Sequence, residues 1–256
     1  MKLSLHQSWP FWAIATIVVL GSVACQREVA SWRVVDVSVK LPTIPADGVS
    51  VDTVFARLPG NADSANSVVL FQTATGKFSN GSDTMSVLAD INTNPTGKLT
   101  AYALLTSSLR AGLDTIWVTT NTAPPVTNSM TFTLTPSVAN SIVLQASAFT
   151  VPANFGGEIT LTGTLYNQSG NPVSMGTPVN FSDAYNITPP TAVGGSWRAE
   201  NNLSDSNSQV SVIYTPGLVN TTDLANGQSF IWVTVSLTNP GNAQTPSSSV
   251  KLYVSQ

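Results

Sequence analysis

The chain of 256 residues contains one cysteine, one histidine and only 9% charged side chains, against roughly 25% charge in an average soluble domain. A lone cysteine, Cys25, forbids an intramolecular disulfide, so every folded unit must stand on packing alone. The lone histidine, His6, sits at the extreme N-terminus. Beyond it there is no imidazole, which removes Ser-His-Asp and Cys-His arrangements and most zinc sites. Glutamate occurs only at Glu28, Glu158 and Glu200, and ten aspartates are scattered without a focal cluster. Glycosidase chemistry needs two carboxylates at a set separation, and nothing in the pattern supplies them. The net charge is only −3. No basic stripe follows a phosphate backbone, so nucleic acid is not an expected partner. No polybasic cluster suits anionic lipid. The expectation is no catalytic residue, no metal and no cofactor, hence no enzyme.

What fills the gap is Ser, Thr and Asn, with 42% hydrophobic residues, 16 Pro and 17 Gly. Thr is β-branched and suits strands, while Ser and Asn suit turns. The hydrophobic content is enough for a core and excludes global disorder.

The longest apolar run is Trp9 to Ala24, WPFWAIATIVVLGSVA, preceded by Lys2. Its sixteen residues fall short of the roughly 20 that a helix needs to cross a bilayer, but they fit the apolar region of a secretory signal. The run closes on Ser22-Val23-Ala24-Cys25. A small residue before a cysteine, directly after an apolar run, resembles the lipobox of bacterial lipoproteins. The resemblance implies a signal peptide over 1–24, acylation of Cys25, and a lipidated tether over 25–32. Such a chain is an exported, membrane-anchored protein of the cell envelope, in the outer membrane or at the cell surface. Ser22 stands where the lipobox usually has Leu. Ser22-x-Ala24 also satisfies the small-x-small rule of ordinary signal peptidase, which would leave Cys25 as a free N-terminal thiol. Two or more acyl chains anchor stably, at about 0.8 kcal/mol per buried CH₂.

Beyond the tether, period-two segments recur between turn residues. Val35, Val37, Val39 and Leu41 alternate with Asp36, Ser38 and Lys40. Ile159, Leu161, Gly163 and Leu165 alternate with Thr160, Thr162 and Thr164, and Val250, Leu252 and Val254 with Lys251 and Tyr253. Period two marks a strand with one buried face. Larger segments repeat as well. Ile116-Trp117-Val118-Thr119 recurs as Ile231-Trp232-Val233-Thr234. Met130-Phe132-Leu134 matches Val250-Leu252-Val254. Val69-Leu70-Phe71 with Gly76-x-Phe78 parallels Val179-Asn180-Phe181 with Gly195-x-Trp197. The repeat predicts units over 33–136 and 137–256. Direct parallel connections need crossovers of a dozen residues or more, usually helical, and no segment of period 3.6 is present. The expectation is therefore all-β: two tandem immunoglobulin-like β-sandwiches of about seven antiparallel strands each.

Asn171-Pro172-Val173 within GTLYNQSGNPVSMGTPVNFS, 163–182, resembles bacterial Ig-like domains of the invasin and intimin type. There a strand ends in G-N-P-V, turns and re-enters as x-P-V-x-F, followed by a Gly-aromatic strand and a polar turn. The polar turn here corresponds to Asp205-Ser206-Asn207-Ser208. The resemblance is fuller over 137–256 than over 33–136. It implies stalks, spacers and adhesive tips on bacterial surfaces, without fixed binding residues.

Three functions follow as expectations: an Ig-like spacer or adhesion module, a carbohydrate-binding accessory module, and a structural subunit of an envelope complex. The partner is the membrane through the lipid, with a protein or polysaccharide ligand of unknown identity. Asp90-Ile91-Asn92-Thr93-Asn94 opens like a calcium loop. Its glycine is displaced and Ala101 stands where the bidentate Glu belongs, so it reads as a polar turn. Trp117 and Trp232 read as structural. Tyr185 and Trp197, within Ser182–Asn201, form the candidate ligand-binding loop, because loops at sandwich ends commonly carry binding.

Overall fold

The computed structural model describes residues 35–58, 67–91, 98–121, 125–153, 156–186, 188–198, 202–219, 229–238 and 245–255. The apolar N-terminal run, Cys25, the tether and positions 92–97 of the calcium-like turn lie outside the described residues. Among the described residues there are strands and loops and no α-helix.

The first sheet of the N-terminal unit is built from β1 (Asp36–Val39), β3 (Val51–Arg57), β7 (Thr100–Thr106) and β5 (Lys77–Phe78), in that order. Its second sheet runs β2 (Thr43–Ala46), β9 (Thr127–Pro136), β8 (Gly112–Thr120), β4 (Val68–Thr73) and β6 (Thr84–Leu88). The C-terminal unit repeats the plan. Its first sheet is β10 (Ser141–Ala146), β12 (Ile159–Tyr166), β15 (Gln209–Thr215) and β14 (Ser196–Arg198). Its second is β11 (Thr150–Pro152), β17 (Ser247–Ser255), β16 (Phe230–Leu237) and β13 (Val179–Ala184). Among the described residues only β6 has no counterpart. Each unit is an Ig-like sandwich.

The strand count exceeds seven per unit because the opening strand is broken. β1 pairs with β3, and β10 with β12, in the first sheet of each unit; the chain then crosses over so that β2 and β11 join the second. These short pieces also correct the expectation of purely antiparallel pairing: β2 lies parallel to β9, and β11 parallel to β17. No helical crossover is required, because each pair joins the first and last strands of a unit and the whole unit is the connection. Pro45 and Pro152 fall in these edge strands, where a residue without an N–H is tolerated.

Each sandwich closes on its own core. One runs from Val35 to Leu134 and includes Phe71, Phe78, Leu105 and Ile116. The other runs from Ala139 to Leu252 and includes Leu161, Leu165, Tyr214 and Ile231. Burying each such side chain contributes roughly 1.5–3 kcal/mol.

The register shows that the repeated tetrapeptide is not in structural register. Phe71 faces Val118 on β8, and its counterpart Phe181 faces Val235 on β16. Ile116 faces Met130, while Val250, the counterpart of Met130, faces Val233. Ile116 therefore corresponds to Val233, and the two copies of Ile-Trp-Val-Thr sit two residues apart. A slip of two preserves the face in a strand. Both isoleucines are fully buried, and both tryptophans lie half-buried on the outer face of their sheet.

Asp47 closes the turn after β2. Its carboxylate accepts from the Val49 and Ser50 N–H groups, at 3.1 and 2.7 Å, and from the Ser50 and Ser107 hydroxyls, at 2.9 and 3.1 Å. Burial raises its pKa, but the donors at Ser50, Val49 and Ser107 outweigh burial and hold it below the ordinary value. A carboxyl with a depressed folded pKa stabilises the fold above its unfolded pKa near 4, and that contribution is lost as pH falls through the folded value. The urea midpoint is expected to fall from pH 6 to pH 3, and Asp47→Asn is expected to flatten that fall. An unchanged slope in the variant would refute the assignment.

Candidate functional site

The sandwiches meet end to end. β9 finishes at Pro136, Ser137 follows, and β10 begins at Ser141. A linker this short brings the loops of each unit against the other, and Ser174 is the centre of the contact. Its hydroxyl donates to the Ala46 carbonyl at 2.9 Å and accepts from the Ser137 N–H at 2.7 Å. The Ser174 carbonyl accepts from Ser204 Oγ and Thr177 Oγ1, at 2.9 and 2.8 Å. Next to it, the Met175 N–H donates to the Leu109 carbonyl at 2.8 Å. Ser137 Oγ donates to the Pro172 carbonyl and accepts from Asn167 Nδ2. Ala46 and Leu109 belong to the N-terminal unit, and residues 167–178 to the loop between β12 and β13. Ser137 and Ser174 are 6% and 5% exposed, so these bonds form away from water, where leaving a partner unmade is expensive. Beside them runs a groove of about 370 Å³ lined by Pro136, Val138, Met175 and Pro178.

The Asn-Pro-Val segment singled out in the sequence positions this loop. Val173 is fully buried. Its N–H donates to Ser208 Oγ at 2.7 Å, and Ser208 Oγ donates to the Val173 carbonyl at 2.6 Å. Ser208 holds a φ of 59°, a left-handed conformation uncommon for a residue with a side chain. A glycine would relieve the backbone and lose the bridge. Nothing in the residue pattern announced Ser174 itself: the only signal was its place directly after Asn171-Pro172-Val173.

Tyr185 and Trp197 are turned inward. Tyr185 is 5% exposed, and its hydroxyl donates to the Leu218 carbonyl at 3.4 Å. Trp197 lies on β14, which occupies the place β5 holds in the N-terminal unit. It is half-buried between Tyr214 and Phe181, with ring centroids 4.5 and 5.9 Å away. Both therefore contribute to the interior of the C-terminal sandwich.

The buried carboxylates serve loops. Asp114 accepts from Thr73 Oγ1 at 2.9 Å, from the Ala74 and Thr75 N–H groups at 3.2 Å each, and from its neighbour Thr115 N–H at 2.8 Å. Asp52 accepts from the Leu41 and Thr53 N–H groups. Asp183 accepts from Tyr214 Oη at 2.9 Å and from the N–H groups of Gly195, Gly194 and Val193, at 2.7, 3.4 and 3.3 Å. Burial pushes the Tyr214 hydroxyl far up, and the Asp183 charge and hydrogen bond push it further. Among the described residues no three His, Cys, Asp or Glu side chains gather as a metal-binding group.

The fold has counterparts among solved structures. The chain is similar to the Yersinia pseudotuberculosis adhesin InvE at 16% identity and a TM-score of 0.50, covering 87% of this chain and 59% of that one. It is similar to invasin, a bacterial integrin-binding protein, at 16% identity and a TM-score of 0.51, covering 86% of this chain and 39% of that one. The chain thus spans about three-fifths and two-fifths of those two proteins. At this identity the likeness establishes the fold alone, Ig-like β-sandwiches in tandem. No protein-family model and no curated protein sequence matches the chain.

Proposed function

We propose that this chain is an exported, non-enzymatic lipoprotein of the cell envelope, anchored through Cys25. The units over 33–136 and 137–256 act as a stiff spacer or adhesion module that holds a binding surface away from the membrane. The observation that carries this reading is the Ser174 junction. A flexible pair of domains needs no buried hydrogen bonds between its ends, because interfaces between domains of one chain are ordinarily loose. The likeness to adhesins supports the reading. So does the engagement of the carboxylates buried among the described residues, Asp47, Asp52, Asp114 and Asp183, by structural donors.

Two measurements test it. The intact mass of protein extracted from membranes is expected to show cleavage before Cys25 with added acyl mass; a free thiol at Cys25 would remove the anchor. Spin labels at Leu88→Cys and Val143→Cys, one exposed position in each unit, are expected to give a narrow distance distribution by pulsed electron resonance. Ser174→Ala is expected to broaden it. A broad distribution in the parent protein would overturn the spacer reading.

A further inference from the structure

The outer face of the sheet formed by β13, β16 and β17 carries side chains unlike those elsewhere on the surface. Ile231 and Val233 of β16 are fully buried, so Phe230 and Trp232 project outward. Tyr253 and Lys251 stand opposite them on β17. Phe230 meets Trp232 edge-on at a centroid separation of 5.5 Å and Tyr253 at 5.9 Å. Lys251 Nζ lies over both rings of β16, 4.4 Å from Phe230 and 5.0 Å from Trp232. Tyr253 is 49% exposed. The remaining outward side chains on these strands are hydroxyl, amide or methyl groups, with Thr234 Oγ1 bonded to Ser249 Oγ at 2.8 Å. Asp183, the one acid on β13, faces the interior. Among the described residues Lys251 is thus the sole charge on the face, and neither ion pair between described residues involves it.

We propose that this face binds an extended polysaccharide bearing carboxylates, with pyranose rings stacked on Trp232 and Tyr253 and a carboxylate paired with Lys251. This goes beyond the spacer reading, and the two can fail separately. The composition of the face selects the occupant. The outward aliphatic side chains on these strands stop at Ala184, so the rings stand among hydroxyl and amide groups rather than within a continuous apolar patch. A cationic ligand would be repelled by the Lys251 ammonium, whereas a neutral sugar ring can share the Trp232 surface with it. An anion instead meets an ammonium without a carboxylate partner. A sugar ring presents C–H groups to the aromatic faces and hydroxyls to the Ser, Thr and Asn rows beside them. The equivalent face of the N-terminal unit lacks the site. There Trp117 stands between Gln72 and Ser129, and the two-residue offset places it where the C-terminal unit has Thr234.

The full chain in detergent should be titrated with polygalacturonate and, in parallel, with its methyl ester, reading tryptophan fluorescence and retardation in polysaccharide-containing gels. The expected result is saturable binding of polygalacturonate and weak binding of the ester. Trp232→Ala should weaken binding about tenfold or more, the order of one lost ring contact. Lys251→Gln, which leaves the rings in place, should also weaken it and abolish its salt dependence. Trp117→Ala should bind like the parent. The proposal is overturned by no saturable binding of polygalacturonate, by equal binding of the ester, or by equal loss in Trp117→Ala. It is also overturned by a concentration-dependent dimer that Trp232→Ala dissolves, which would make the face a contact between copies. None of these outcomes alters the spin-label distances that test the spacer.

Discussion

Asp114→Ala is expected to cost the N-terminal sandwich about 4 kcal/mol, the range of a buried charge-assisted network lost at once. Asp114 is 0% exposed, and its two oxygens gather four donors. Ala74 and Thr75 lie in the turn leaving β4, and Thr73 is the last residue of that strand. Removing the carboxylate takes the acceptor from the buried Thr73 hydroxyl and from the Thr75 N–H, while the Ala74 N–H keeps only the Thr115 carbonyl. The turn also carries Gly76. A Cβ there would lie 2.7 Å from the Thr106 carbonyl and 2.8 Å from Leu105 Cδ1, so the chain has no slack to rearrange. A sandwich of about 100 residues commands roughly 5–15 kcal/mol in all, and such a loss should lower its melting transition by about 20 °C. The transition of the C-terminal sandwich should stay where it is. Asp114→Asn keeps one acceptor for the turn's N–H groups and should recover part of the loss. Calorimetry of the three proteins decides. A shift of less than about 5 °C in Asp114→Ala would show that water replaces the carboxylate.

The architecture was legible because period two is a strong signal wherever one face of a strand is buried. β3, β8, β12 and β16 alternate almost residue by residue, and their apolar positions in the sequence are the core. What misled was identity without register. Ile-Trp-Val-Thr occurs twice, yet the flanking matches, Val69-Leu70-Phe71 with Val179-Asn180-Phe181 and Met130-Phe132-Leu134 with Val250-Leu252-Val254, fix the alignment and set the tetrapeptides two residues apart. Period-two patterning cannot report a slip of two, because every side chain keeps its face. The parallel edge pairs were invisible for a related reason: strand direction is set by which distant strand a short piece joins, and four residues carry no record of that. Tyr185 and Trp197 read as loop residues because the three-residue strand Ser196–Arg198 is too short to register as periodic. The junction is written in single hydroxyls, Ser137 and Ser174, in a chain where serine is everywhere. Burial alone gives those two their meaning.

Asp183→Ala is expected to damage the C-terminal sandwich as deeply as Asp114→Ala damages the other, and by a different wiring. Thr73 and Asp183 hold corresponding ends of β4 and β13. In the first unit that position is the donor and the acid sits on β8; in the second the acid sits there itself and takes its donors from the segment before β14 and from Tyr214. Gly195 lies so close that a Cβ would overlap the Tyr214 ring and stand 2.7 Å from Asp183 Oδ2. Gly195→Ala should therefore lift β14 from Tyr214 and match most of the loss of Asp183→Ala. Tyr214→Phe separates the contributions. At neutral pH it removes one hydrogen bond to a charged acceptor and should cost about 2 kcal/mol. The difference narrows in alkali. Burial and Asp183 keep Tyr214 protonated in the fold, whereas the unfolded tyrosine ionises near pH 10. Above that pH the unfolded state sheds a proton the folded state retains. The parent therefore loses about 1.4 kcal/mol of stability per pH unit through this group, and Tyr214→Phe does not. Urea unfolding of both proteins from pH 8 to pH 11.5 should show their difference shrinking above pH 10. A constant difference would mean that Tyr214 ionises as readily inside the sandwich as outside it.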